Sequence, residues 1–181
     1  MQPSRIGRTV VEYYNAKLDH YFISASQPDL DALDSGRLPG WQRIGYAFRA
    51  FVTRNGSPGS ADLQDVCRIY LPPSKGDCHF FSASLAECTA SLASHDDFVL
   101  ETNSAFLARL PDPNTGACPW YHYDEELNLF HWLPQVFRLW NGKVDSNHRY
   151  TVDRNVRSDM IAQGWVPEGY GPEGVAFCGG P

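Results

Sequence analysis

Three stretches of the sequence repeat one order of features, so the chain must fold as three copies of one small unit packed on each other. The first runs Val11-Glu12-Tyr13-Tyr14, His20-Tyr21-Phe22, an acidic stretch ending at Leu33, Gly40-Trp41 and Ala47-Phe48. The second runs Cys67-Arg68-Ile69-Tyr70, His79-Phe80-Phe81, Leu92, Phe98 and Ala105-Phe106. The third runs Phe137-Arg138-Leu139-Trp140, His148-Arg149-Tyr150, Ile161, Gly164-Trp165 and Ala176-Phe177. In each, the histidine stands the same distance before the apolar residue that ends the middle segment (20 to 33, 79 to 92, 148 to 161).

Each unit reads as β-β-α-β. Its opening residues alternate and are rich in β-formers, and the His-aromatic run is a second short strand. Asn15, Pro72-Pro73 and Asn141-Gly142 stand where a hairpin turn is needed. Ser26, Ser84 and Asp153 are candidate helix N-caps, Pro28 suits a first turn, and Gly36 and Gly164 are candidate stops. Glu12 in unit one takes the place of Arg68 and Arg138, while Arg43 and Glu101 carry the opposite sign near the closing Phe. This swap predicts the cross-strand pairs Glu12–Arg43, Arg68–Glu101 and Arg138–Glu168, each worth about 0.2–1 kcal/mol if exposed. The expected fold is a single α+β domain over 1–181. Units 10–52, 66–110 and 136–179 form a pseudo-threefold arrangement of small antiparallel sheets, with a β-trefoil-like arrangement as the alternative.

Composition narrows the function classes. The charge of −6 and pI near 5.4 lack the cationic excess that drives binding to a phosphate backbone, so no nucleic-acid partner is expected. No apolar run approaches the roughly 20 residues of a membrane helix. No CxxC, G-x-S-x-G, H-E-x-x-H or P-loop occurs, and no cofactor is expected. The opening Met1-Gln2-Pro3-Ser4-Arg5 has no apolar leader core, which predicts a cytosolic chain or a mature domain or fragment without its leader. Three imidazoles can hold zinc. Yet His20, His79 and His148 recur once per unit, so the expectation is that each fixes its own hairpin and that no metal is bound.

The chain resembles a family of secreted bacterial and fungal repeats of unknown function, whose units look like V-Y-R-F-Y … H-F-Y-T … G-W-x-x-E-G-x-A-F. The matching residues are Arg68-Ile69-Tyr70, His79-Phe80-Phe81-Ser82, Asn147-His148-Arg149-Tyr150-Thr151 and Gly164-Trp165-Val166-Pro167-Glu168-Gly169. They lie in residues 10–118 and 136–178. The resemblance implies a secreted or extracellular module with no catalytic residues. It also implies a Cys67–Cys88 disulfide, with Cys118 and Cys178 bracketing unit three. Cys78 is then left over, as a free thiol or a bridge between chains.

One segment breaks the repeat. Residues 119–135 hold Trp120, Tyr121, Tyr123, Phe130 and Trp132, five of the 24 aromatic rings, with prolines at both ends. Asp124-Glu125-Glu126 favours a helix start, and Tyr123, Leu127 and Phe130 recur on one helical face. The expected roles are a partner-binding insertion, contacting a protein or peptide through Trp120, Tyr121, His122, Tyr123, Leu127, Phe130, His131 and Trp132, or a helix capping the gap between units two and three. The expected function is therefore a non-catalytic binding module. The alternatives are glycan binding at the loops of Asp19, Asp77 and Asp145-Ser146-Asn147, and a hydrolase using Glu101 and Glu168. The sequon Asn55-Gly56-Ser57 would carry a glycan only in a eukaryotic secretory host.

Overall fold

A computed structural model describes residues 7–51 and 62–181, so the sequon Asn55-Gly56-Ser57 lies outside the described residues. Unit one comprises β1 (Gly7–Asn15), β2 (His20–Ser24), α1 (Gln27–Asp34) and β3 (Trp41–Phe51). Unit two comprises β4 (Leu63–Leu71), β5 (Cys78–Ser82), α2 (Leu85–Ser94) and β6 (Val99–Arg109). A hairpin of β7 (Trp120–Asp124) and β8 (Leu129–Trp132) precedes unit three. Unit three comprises β9 (Gln135–Trp140), β10 (His148–Thr151) and α3 (Arg154–Ala162). Its closing strand is split into β11 (Val166–Glu168) and β12 (Val175–Cys178).

The helix starts follow one local rule. The hydroxyls of Ser24, Ser82 and Thr151 accept from the backbone N–H two residues on. Ser84 then caps the N–H of Glu87, and Asp153 caps Asn155 and Val156. Ser26 holds the N-cap place in α1 but makes no side-chain cap bond. The turns are equally local. Asp19 and Asp77 take left-handed φ of 56° and 49°. Each accepts a hydrogen bond from its strand tyrosine, Tyr14 or Tyr70.

Among the described residues all strand pairs are antiparallel. The sheets of the three units are not separate: single bridges at Phe51–Leu107 and Cys178–Arg109 join them into one ten-stranded network. Inside it, Phe48, Phe106 and Phe177, the closing residue of each unit, meet pairwise with centroids 5.6–6.0 Å apart. Val10, Val66 and Val136, one from each opening strand, are fully buried. Burying one such side chain is worth about 1.5–3 kcal/mol.

The register corrects the histidine alignment. Glu12 faces Ile23 across the first hairpin, as Arg68 faces Phe81 and Arg138 faces Tyr150. Tyr21 therefore holds the place of His79 and His148, and His20 sits one step earlier, level with Cys78. Unit one has its histidine one place earlier in an equally long strand, and an alignment on histidine alone hides this.

The charged position of the opening strand links the units. Arg68 bonds Asp29 of α1 at 2.6 Å and Glu101 of its own unit at 2.7 Å. Arg138 bonds Glu87 of α2 at 2.6 Å and Glu168 of its own unit at 3.3 Å. Asp29 and Glu87 each stand three residues after the N-cap. In α3 that place is Val156, and the opening strand of unit one offers Glu12 instead. The cation comes from Arg149 on β10, whose Nε lies 2.9 Å from Glu12. The expected Glu12–Arg43 pair does not form. A bulge between Val11 and Tyr13 takes Glu12 out of step, so Arg43 lies opposite Tyr13 and pairs with Asp34 on the surface.

Burial pushes the Glu12 carboxyl up, against the pull of Arg149. Glu12→Ala leaves Arg149 buried without its partner and should cost about 3–5 kcal/mol. Urea denaturation measures this. Replacing both residues by leucine should recover most of the loss.

Candidate partner-binding hairpin

The aromatic segment is a β-hairpin, which corrects the expected helix. Trp120-Tyr121-His122-Tyr123 and Leu129-Phe130-His131-Trp132 are dense in aromatic β-formers. The acidic residues that suggested a helix start make the turn instead. The Asp124 carboxylate accepts from the N–H of Glu126 and Leu127, and Asn128 takes a left-handed φ of 50°.

The register sorts the side chains onto two faces. Trp120 pairs with Trp132, His122 with His131 and Tyr123 with Phe130, and a bulge interrupts the ladder between Trp120 and His122. The bulge sends two consecutive residues to one side. One face gathers Trp120, Tyr123, Phe130 and Trp132, with Phe130 4.7 Å from Tyr123, 5.5 Å from Trp120 and 6.4 Å from Trp132 between centroids. The other gathers Tyr121, His122 and His131, with the imidazoles 5.6 Å apart and near parallel. Leu127 lies at the tip. Trp132 is 59% exposed and Leu127 69%. Leu129, also exposed, belongs to the same surface. The helical reading missed it, although the alternation of Phe130-His131-Trp132 beside it marks a strand.

The base of the hairpin is fixed. Cys118 is bonded to Cys178 of β12, and Cys67 to Cys88, so both implied disulfides are present. Leu133 is buried, its N–H donates to Pro119, and Gln135 donates to Gly116. Cys78 is the free cysteine and is only 2% exposed. Burial pushes its thiol up to about 12, so it is neither reactive nor placed to bridge chains.

The other candidate groups are engaged within the fold. His79 lies 3.1 Å from Glu101, and His148 lies 3.3 Å from Glu168. His20 instead faces Asp145 of unit three at 3.6 Å, as its shifted register requires. Among the described residues, no three His, Cys, Asp or Glu side chains converge as metal ligands. The bond from His79, helped by Arg68, holds Glu101 below the usual carboxylate range. Burial opposes the same effect at Glu168, but His148 and Arg138 outweigh it. Asp19 and Asp77 are spent on their turns, Asn147 bridges to the backbone of Asp19 and Tyr21, and the Ser146 hydroxyl takes the indole N–H of Trp140.

With this geometry in view, one match to a known family can be placed. Residues 114–176 match the model of a domain of unknown function (DUF5648). The matched stretch runs from just before the hairpin through most of unit three. No curated protein and no solved structure matches the chain.

Glu168 is ionised in the fold below the pH at which a free glutamate, with a usual value of 4.5, takes its proton. Its contribution to stability is therefore full above that value and lost as pH falls through the lowered one. The stability gap between the wild type and Glu168→Gln should be largest at neutral pH and shrink through the acid range, as urea titrations at stepped pH would show. Cys78 should resist iodoacetamide in the native protein and react at the rate of unfolding, read by mass spectrometry.

Proposed function

We propose that the chain is a non-catalytic extracellular binding module that presents the hairpin 120–132 to a protein or peptide partner. The observation that carries this reading is the exposed cluster of Trp120, Phe130 and Trp132, packed with half-buried Tyr123 and held on a disulfide-anchored base. Aromatic side chains give large rigid contact area at low entropic cost, and they dominate the energetics of interfaces. A surface of this kind is unusual on a chain with no partner to cover it. Two disulfides favour an oxidising compartment, and no helix among the described residues is long and apolar enough to cross a membrane.

In this reading the three units stand around a pseudo-threefold axis and serve as the rigid base. The triangle of Phe48, Phe106 and Phe177 supports the axis, as does the contact of β2, β5 and β10 with one another. The resemblance to secreted repeats is part of the same proposal. The hydrolase reading loses ground because Glu101 and Glu168 are each held ionised by an arginine and a histidine, where a general acid needs a retained proton.

Trp120→Ser with Trp132→Ser should abolish capture of the partner from the native extracellular fluid. It should leave the thermal midpoint within about 2 °C of wild type, since both rings are exposed. A collapse of the midpoint would instead make the hairpin a structural cap.

A further inference from the structure

The repeat supplies an internal control for a second site. A groove of about 470 Å³ lies between units one and two, lined by Arg8, Ser24, Ser26, Gln27, Arg68, Thr102 and Ser104 over a floor of Ile23, Ala25, Phe81 and Phe106. Its counterpart between units three and one holds only about 10 Å³. The equivalences are direct. Ser24 and Ala25 correspond to Thr151 and Val152, and Arg68 corresponds to Glu12. Ser104, two residues before the closing Phe106, corresponds to Tyr46, two residues before Phe48. Tyr46 and Val152 fill the counterpart, with Arg149 stacked over Tyr46 at 5.2 Å. Smaller side chains leave the first groove open.

We infer that the groove between units one and two binds a carboxylated sugar ring of the hexuronate class. The volume falls in the roughly 300–1,000 Å³ range of small-ligand sites. The lining splits as a sugar needs: an apolar floor for one ring face, and a rim of Ser26, Gln27, Thr102 and Ser104 for hydroxyls, while the Ser24 hydroxyl is held by Asp29 and by the N–H of Ser26. A purely apolar acid would leave that rim unmatched. The charge selects the acid. Arg68 is committed to Asp29 and Glu101, whereas among the described residues the exposed Arg8 makes one bond, to the carbonyl of Ala25 at 3.4 Å. Arg8 therefore has donors left for a carboxylate. Ser26 also faces the groove, and its hydroxyl is not used in capping α1, unlike Ser84 in α2. This site is independent of the hairpin and of its partner.

The test is titration of the full chain with sodium glucuronate, followed by amide-resonance shifts, with glucose and benzoate as controls. Saturable shifts are expected at Ser26, Gln27, Thr102 and Ser104. Glucose and benzoate should each bind about tenfold more weakly, the loss expected for one charged hydrogen bond or an unmatched polar rim. Arg8→Gln should weaken glucuronate by a similar factor. Ser104→Tyr, which copies Tyr46, should abolish binding. Should that variant fail to fold, Arg8→Gln decides alone, because Arg8 is exposed. The hairpin variant Trp120→Ser with Trp132→Ser should bind glucuronate as wild type does. Absence of saturable shifts, benzoate binding as tightly as glucuronate, or Arg8→Gln without effect would each overturn the assignment.

Discussion

One charged residue in the middle of each unit's opening strand meets an opposite charge from the neighbouring unit, and the packing of the three units depends on those contacts. Arg68 and Arg138 reach the acid in the first turn of the preceding helix, Asp29 or Glu87, and the glutamate of their own closing strand. Carboxylates near a helix N-terminus are also favoured by its dipole. The contact between units three and one reverses the sign: Glu12 stands on the opening strand and Arg149 on the neighbour. A buried pair of this kind adds little net stability against an apolar replacement. It does make wrong pairings costly, because any other docking of the units buries a charge alone. The distinct sign at the closing contact tells unit three where unit one belongs.

The binding roles proposed for the hairpin and the groove rest on that frame. The helix caps, turn acids and histidines are absorbed by local bonds within and between units. Two places stand outside this economy of local bonds. The hairpin puts its aromatic rings in water on a fixed base, and the groove between units one and two lacks the tyrosine that fills its counterpart. Variation on a rigid scaffold is a common source of binding sites.

Much of the fold was legible in the sequence because the repeat displays it three times. The β-β-α-β order, two of three helix caps and the Arg68–Glu101 and Arg138–Glu168 pairs all lie within single units, while the Cys67–Cys88 bridge was implied by the family resemblance. The misreadings have physical causes. Glu12 was assigned to Arg43 because a strand bulge has no sequence signature as strong as its effect on register. His20 matches His79 and His148 by residue type alone, whereas the register gives it the place of Cys78 and gives Tyr21 theirs. The hairpin was read as a helix because the Asp124 turn imitates a helix start, and a short aromatic run fits both periods. The Glu12–Arg149 contact joins residues far apart in sequence, and no local pattern announces it.

Native-state hydrogen exchange tests most directly whether the three units form one rigid base with an independent hairpin. The strands β1, β4, β6 and β9 should exchange together at the global unfolding free energy, while the amides of 121–131 open at a much lower one. Protection of the hairpin at the global value would contradict its role as a free presenting element. Separate opening of the units would contradict their coupling through the charged contacts.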